Sequence, residues 1–333
     1  MTAILVTGGA GYVGSHSCKA LAAAGFLPVS FDNLSTGHRW AVQWGPLEAG
    51  DLDDIDALRR VMRRHRIEAV MHFAASSNVG ESMRQPGFYF RNNVGGTLNL
   101  LEAMIDCGIK TLVLSSSCAS YGRPQSLPIQ EDHPQWPMSP YGETKFAAER
   151  MLRWWDEVHG LRFVALRYFN AAGADAEGRI GEAHEPETHL IPLAIAAALG
   201  QRPHLLIHGT DYPTADGTAV RDYVHVSDLA QAHLAALRHL FAGGRSLSCN
   251  LGTGRGHSVR QVITAVERVA GRRLPVIEGP RRPGDPPELV AFAHLANQVL
   301  AWKPEITDLE RIVSTAFRWH RGTMPAVAQA AQP

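Results

Sequence analysis

A tyrosine and a lysine four residues apart, Tyr141 and Lys145, stand in the run Ser139-Pro140-Tyr141-Gly142-Glu143-Thr144-Lys145. On a helix this spacing stacks both side chains on one face. An ammonium beside a phenol favours the phenolate and draws its pKa down from about 10 toward neutrality. Such a tyrosine can act as a general base toward an alcohol. Pairs of this kind recur on many surface helices, so Ser115, Ser116 and Ser117 add what the pair lacks. They follow the apolar run at 112–114, which reads as a strand whose carboxyl end is where ligands bind in open parallel sheets. A hydroxyl there can bridge a substrate oxygen and the tyrosine.

A second constellation opens the chain. The run Thr7-Gly8-Gly9-Ala10-Gly11-Tyr12-Val13-Gly14 lies between an apolar segment at 3–6 and an Ala-rich, helix-permissive stretch at 12–24 that stops at Gly25. Strand, glycine-rich turn and helix form the context of a phosphate-binding loop. Gly8, Gly11 and Gly14 permit the tight turn, the approach of backbone to a pyrophosphate and the close packing of helix on strand. Free N–H groups at the helix start face the negative charge. A further apolar run at 27–31 ends in Asp32, placed to accept from both hydroxyls of an adenine ribose. A phosphate on that ribose would meet like charge, so the expected cofactor is NAD rather than NADP.

These groups need a rigid frame, and the chain supplies its pattern. Apolar runs at 3–6, 27–31, 69–73, 111–115 and 162–168 alternate with helical segments near 12–24, 54–65, 88–107 and 141–159. This predicts an α/β fold, a Rossmann-like doubly wound parallel sheet covered on both faces. After Asn170 the pattern loosens, with helices near 190–199, 227–241, 258–270 and 308–320. The expected organisation is an NAD-binding domain at 1–170, a smaller α/β substrate-binding region at 171–323 interleaved with the last strands, and a frayed tail at 324–333.

Composition bounds the partners. The 333 residues are 45% hydrophobic and 19% charged, with 32 basic and 32 acidic side chains, so the chain is globular and carries no net charge to recruit nucleic acid or an anionic membrane. In the Arg-rich segment 59–66, Ile55, Leu58 and Met62 recur at helical spacing, which leaves the arginines on a solvated face. Cys18, Cys107, Cys118 and Cys249 form no Cys-x-x-Cys pair, and Cys118 has no base beside it, so a packing role is expected. No leader or membrane-length apolar run is present, which points to the cytoplasm. Sixteen histidines lack zinc spacing; His184 and His189 come nearest to a pair, in a loop-like region, and no metal is expected.

The sequence resembles the extended short-chain dehydrogenase/reductase superfamily from Leu5 to about Trp302, and within it is similar to the UDP-glucose 4-epimerase family. The general markers are the glycine-rich turn, Asp32-Asn33-Leu34, Gly50-Asp51-Leu52, His72-Phe73-Ala74-Ala75, Asn92-Asn93-Val94 and Tyr141-x-x-x-Lys145. More specific are Arg167-Tyr168-Phe169-Asn170, His189-Leu190-Ile191-Pro192, Gly209-Thr210-Asp211-Tyr212-Pro213-Thr214, Arg221-Asp222-Tyr223-Val224-His225-Val226 and Arg282-Pro283-Gly284-Asp285.

The resemblance implies a role for each matching residue. NAD would lie against Gly8, Gly11, Tyr12, Val13 and Gly14. Asp32 and Asn33 would hold its adenine ribose, and Asp51 and Leu52 its adenine. Phe73, Ala74, Asn92, Ser115 and Tyr168 would line its path, and Lys145 would bind the nicotinamide ribose. Ser117 and Tyr141 would address the sugar 4-hydroxyl. Asn170, His189, Leu190, Leu206, His208, Arg221, Arg282 and Asp285 would hold the UDP moiety, and Leu289 would limit sugar size. Two arginines suit a diphosphate because planar forks bind phosphate oxygens bidentately. The expected reaction is interconversion of UDP-galactose and UDP-glucose through a 4-keto sugar, and a homodimer is implied.

Departures from the family pattern leave neighbours open. Ser77 stands where a lysine is common, His208 where an aromatic ring is common, and Leu289 is intermediate between bulky and small, so UDP-N-acetylhexosamines stay open as substrates. UDP-xylose/arabinose epimerisation also stays open. Cys118 and Ala119 stand where the sister dehydratases need a carboxylate pair. A non-catalytic NAD-binding regulatory protein is the reading from another class, and an intact Tyr141 speaks against it.

Overall fold

The structure, a computed structural model, describes residues 1–282 and 284–322. In chain order the first half runs β1 (Ala3–Thr7), α1 (Tyr12–Ala23), β2 (Leu27–Asp32), β3 (Leu47–Ala49), α2 (Ile55–Arg64), β4 (Ile67–His72), α3 (Val79–Ser82), α4 (Pro86–Tyr89), α5 (Gly96–Asp106), β5 (Thr111–Ser117), α6 (Pro140–His159) and β6 (Arg162–Tyr168). The second half runs β7 (Asn170–Ala172), α7 (Leu190–Ala198), β8 (Leu205–His208), β9 (Val220–His225), α8 (Val226–Phe241), β10 (Leu247–Leu251), β11 (Gly256–Ser258), α9 (Val259–Ala270), β12 (Val276–Gly279), β13 (Glu288–Leu289), α10 (His294–Leu300) and α11 (Leu309–Gly322).

Seven strands form one sheet in the order β10-β6-β5-β4-β1-β2-β3, parallel throughout. Both faces are covered, which is why its central strands read as unbroken apolar runs instead of alternating ones. On one face Leu58 and Met62 of α2, Leu100, Leu101 and Met104 of α5, and Leu152 of α6 are buried against the sheet. On the other lie Cys18 and Leu21 of α1, Leu229 and Leu237 of α8, and Leu300 of α10. The strand order reverses direction between β1 and β4, so the loops after these strands diverge and open a crevice at their carboxyl ends.

The α/β expectation holds, with extensions. β3 has only Leu-Glu-Ala, too short to show a period, and β10, Leu-Ser-Cys-Asn-Leu, is diluted by polar residues that serve a buried network. The helix expected near 88–107 is broken: α4 and α5 flank a π-helical segment, Phe90–Gly95. The second half thus returns to the main sheet through β10 and packs α8 on it. It also builds a four-stranded sheet of β7, β9, β11 and β13 and a β8–β12 pair. α7, α9 and α11 share a separate core with Leu205 and Ile207 of β8. The arginines of α2 are solvated as expected, Arg59 pairing with Asp56 and Asp106. Among the described residues no helix is long and apolar enough to cross a membrane. The tail expected at 324–333 lies outside the described residues.

Candidate active site

The glycine-rich turn leaves β1 at the reversal point. Gly8 has φ +75°, and a Cβ on it would stand 2.6 Å from the Ala74 nitrogen. A Cβ on Gly14 would stand 2.1 Å from the Gly8 carbonyl, so only glycine lets α1 come this close to the strand. Gly11 differs. A Cβ there would meet only the Gly8 oxygen, at 3.3 Å, and otherwise project into open space. Gly11 caps α1 with no side-chain hydrogen bond, so no side chain occupies the N–H groups of the first turn, at Tyr12 and Val13. A bare backbone and an uncapped helix start fit a pyrophosphate.

Asp32 is buried at the end of β2, where Oδ2 accepts from the Ala10 N–H (3.0 Å) and Oδ1 from the Leu34 N–H (2.8 Å). Burial nevertheless raises its pKa. Each oxygen keeps lone pairs for ribose hydroxyls, and the two amides fix the carboxylate's direction. Asn33 donates to Asp51 (2.6 Å), and the Leu52 carbonyl accepts from Asn99 (2.9 Å), which gathers the expected adenine residues beyond β2. The Phe73 and Ala74 amides both donate to the Thr7 carbonyl, tying the loop after β4 to β1. Asn92, in the π-helical segment, donates to Asn93 (2.9 Å) and Ser76 (3.3 Å). Tyr12 anchors the turn to the second half by donating to the Gly173 carbonyl (2.6 Å).

Across the crevice, α6 begins at Ser139, whose hydroxyl accepts from the Gly142 N–H (3.1 Å), with Pro140 in the first turn. The helix aims Tyr141 and Lys145 at the end of β5. Lys145 Nζ is buried and donates to the Ser115 carbonyl (2.9 Å); burial pushes its pKa down to about 8. The Ser115 hydroxyl meets the Tyr168 hydroxyl at 2.6 Å, and Ser117 lies within hydrogen-bonding reach of the Tyr141 phenol. One expectation is corrected here. Burial raises the Tyr141 pKa well above the ordinary phenol value, because desolvation outweighs the Ser117 hydrogen bond, and Lys145 Nζ is 6.0 Å from the ring centroid. Cys118 is buried with its thiol pushed up to about 12, which fits packing and not nucleophilic attack.

Of the expected substrate residues, Arg221, Asp285, Arg282, His208 and Leu289 lie near one another in the second half. Arg221, on β9, is paired with Asp285 and donates through Nη1 to the Val220 carbonyl (2.7 Å), so both side chains are locked together. Arg281 is committed to Asp211 (2.7 Å) and lies 4.4 Å over the Tyr212 ring, which leaves its neighbour Arg282 exposed. Burial, and after it the Arg282 charge, lowers the pKa of His208 at the end of β8, where Leu206 is also exposed. Leu289 is buried on β13 beside Arg221 in register. Asn170 starts β7, and His189 and Leu190 start α7.

Two supporting groups escaped the sequence reading. Glu149 is buried one further turn along the Tyr141–Lys145 face, where it accepts from Ser116 (2.5 Å) and pairs with Arg167 (2.6 Å). The spacing of four, continued from 141 and 145 to 149, was the signal. The loop before α7 brings Glu182, His184, Glu187 and His189 together, their ligand-type atoms within 4.8 Å of one another, although sequence spacing suggested no such cluster.

The chain also matches known proteins. A model of the NAD dependent epimerase/dehydratase family matches residues 4–252. The UDP-glucose 4-epimerase of Rhizobium meliloti (strain 1021) is 53% identical over 317 residues, covering 95% of this chain and 96% of that protein. The crystal structure of UDP-glucose 4-epimerase from Brucella ovis in complex with NAD superposes with a TM-score of 0.93 at 50% identity, covering 96% of this chain and 98% of that one. That of UDP-glucose-4-epimerase from Stenotrophomonas maltophila, with bound NAD and formylated UDP-arabinopyranose, superposes with a TM-score of 0.94 at 40% identity, covering 99% and 100%.

Proposed function

The chain belongs to the NAD dependent epimerase/dehydratase family, and from that premise we infer that it interconverts UDP-galactose and UDP-glucose, an NAD-dependent isomerisation at sugar C4 through a 4-keto sugar. The observation that carries this reading is the convergence of Ser117, Tyr141 and Lys145 at the carboxyl end of β5, across the crevice from an uncapped glycine-rich helix start.

The residues that would hold NAD are the Gly8–Gly14 turn, Asp32, Asn33, Asp51, Leu52, Phe73, Ala74, Asn92, Lys145 and Tyr168. When bound, NAD supplies a reversible hydride acceptor and a positively charged ring that favours the phenolate. Tyr141 takes the proton of the sugar 4-hydroxyl and gives one back to the same oxygen after the 4-keto sugar has turned its other face inward. Ser117 orients that hydroxyl. Lys145, fixed by the Ser115 carbonyl, keeps a donor at the base of the site. Arg221, Arg282, His189 and the start of α7 hold the diphosphate, while Leu206 and His208 flank the uridine. Anchoring the nucleotide and leaving the hexose loosely held lets either face of C4 turn inward.

The same reading makes the protein a cytoplasmic homodimer. Phe90, Leu98, Trp154 and Val158 lie exposed on the π-helical segment, α5 and α6, an apolar set suited to a second copy. Sedimentation at equilibrium checks this: a monomer removes it. For the reaction itself, the protein is purified without added cofactor, given UDP-galactose, and its products resolved. UDP-glucose formation without added NAD supports the reading; no conversion by folded protein, with or without NAD, overturns it.

A further inference from the structure

Glu182, in the loop before α7, is 3% exposed and uses a single carboxylate oxygen for two imidazoles. Oε1 meets Nδ1 of His189 in a short contact and Nδ1 of His184 at 3.2 Å. One acceptor oxygen satisfies both rings only when each Nδ1 carries its proton and donates. The contact with His189 is a direct hydrogen bond.

Donating inward through Nδ1 leaves the other edge of the His189 ring, with Nε2, free to face outward, and this side chain is 50% exposed. His189 precedes α7 but does not cap it with its side chain. Its backbone is held separately: Glu187 Oε1 accepts from the N–H groups of Thr188 (2.7 Å) and His189 (2.8 Å). The ring and its backbone are therefore fixed from two sides, by two carboxylates.

We propose that Glu182 is a positioning residue that fixes the His189 imidazole with its Nε2–H turned outward, as a charged donor to the diphosphate of the bound nucleotide sugar. This rests on the nucleotide-sugar reading above and adds the group that gives His189 its direction and charge. A charge-assisted donor at the start of α7 adds to the N–H groups of that helix end. The groups that face the cluster are Glu182, Glu187, His184 and His189 of this loop, Tyr12 of α1 and His320 of α11. The two carboxylates hold both imidazoles above the ordinary histidine value, His184 at about 10.

The test measures UDP binding by calorimetry between about pH 6 and pH 9, with kcat and KM for UDP-galactose, on the full chain and on Glu182→Gln. The substitution keeps the shape and removes the charge. UDP affinity is expected to fall about tenfold near neutral pH, with KM rising alike and kcat within about twofold. The pH above which UDP binding weakens moves down, because His189 loses its proton earlier. A merely structural role would lower melting temperature or kcat and leave that profile in place. Should the variant not fold, ¹⁵N-histidine spectra of the unaltered chain decide: the His189 Nε2 signal shifts on UDP saturation. An unchanged pH profile in a folded variant, or an unmoved Nε2 signal, overturns the proposal and leaves the epimerase reading standing. Failure of the unaltered chain to bind UDP overturns both.

Discussion

Lys145 Nζ lies 6.0 Å from the centroid of the Tyr141 ring and gives its hydrogen bond to the Ser115 carbonyl instead of the phenol. The two residues share a helix face, yet the lysine reaches past the tyrosine to the end of β5. The protein alone therefore holds the phenol neutral, with burial raising its pKa. In the function proposed above, the positively charged ring that NAD would bring is the group that favours the phenolate.

Tyr141→Phe follows directly. The ring keeps its packing, so the protein folds and retains NAD, read from the cofactor released on denaturation. Turnover of UDP-galactose falls by about 10²–10⁴, the range of a lost general base. Full activity in the phenylalanine variant would remove Tyr141 from this role.

Lys145 makes the cofactor-free fold depend on alkaline pH. Its pKa drops from 10.5 to about 8 on burial. Between those values the unfolded chain holds a proton that the folded chain has shed, so raising the pH stabilises the fold. Against Lys145→Met, which has no proton to lose, the unaltered chain gains on the order of 3 kcal/mol across that window. Urea melts of both proteins from pH 7.5 to 10.5 check it. A constant difference between them would mean that the ammonium is not desolvated.

Gly11 and Gly14 separate cofactor binding from folding. At Gly14 an added methyl meets the Gly8 carbonyl at 2.1 Å, so Gly14→Ala shifts the turn and destabilises the protein by about 1–3 kcal/mol as well as releasing NAD. At Gly11 the methyl meets only the Gly8 oxygen, at 3.3 Å, so Gly11→Ala needs a shift of a few tenths of an ångström, loses less stability than Gly14→Ala, and blocks the approach of the pyrophosphate. Melting curves without NAD, beside titration of NAD into each protein, distinguish the two. Equal NAD affinity in Gly11→Ala would place the pyrophosphate elsewhere.

What was legible in the chain was local. The glycine-rich turn, Asp32 and the Tyr141–Lys145 pair each declare themselves within one strand–turn–helix segment, and their placement follows from the sheet. Groups assembled over long separations were not. β10 joins the sheet after a gap of nearly eighty residues from β6, and its polar positions hide it because Asn250 bonds Tyr121 and Ser248 reaches Glu149. The pairing of Arg281 with Asp211, seventy positions away, was likewise not local. The raised Tyr141 pKa escaped for another reason: helical spacing reports which groups are neighbours, while desolvation depends on everything packed around them.

The Glu149–Arg167 pair lies one turn beyond Lys145 along α6. Glu149 and Arg167 are almost wholly buried, and the carboxylate accepts from Arg167 Nε and Nη2 and from the Ser116 hydroxyl. Arg167 also donates to the Tyr121 hydroxyl (2.7 Å), so one charged knot ties α6 to β5, β6 and the loop after β5. Removing one partner leaves a buried guanidinium uncompensated: Glu149→Leu is expected to lose about 3–5 kcal/mol. Replacing both, as Glu149→Leu with Arg167→Met, removes the desolvation of both charges and recovers most of that loss. Because Ser116 lies between Ser115 and Ser117 on β5, the double variant also frees the strand end on which Lys145 and the Tyr141 hydroxyl depend. Its stability then returns while kcat stays depressed. Denaturant melts and steady-state kinetics on all four proteins of the cycle check this, and a double variant with both restored would make the pair a packing element alone.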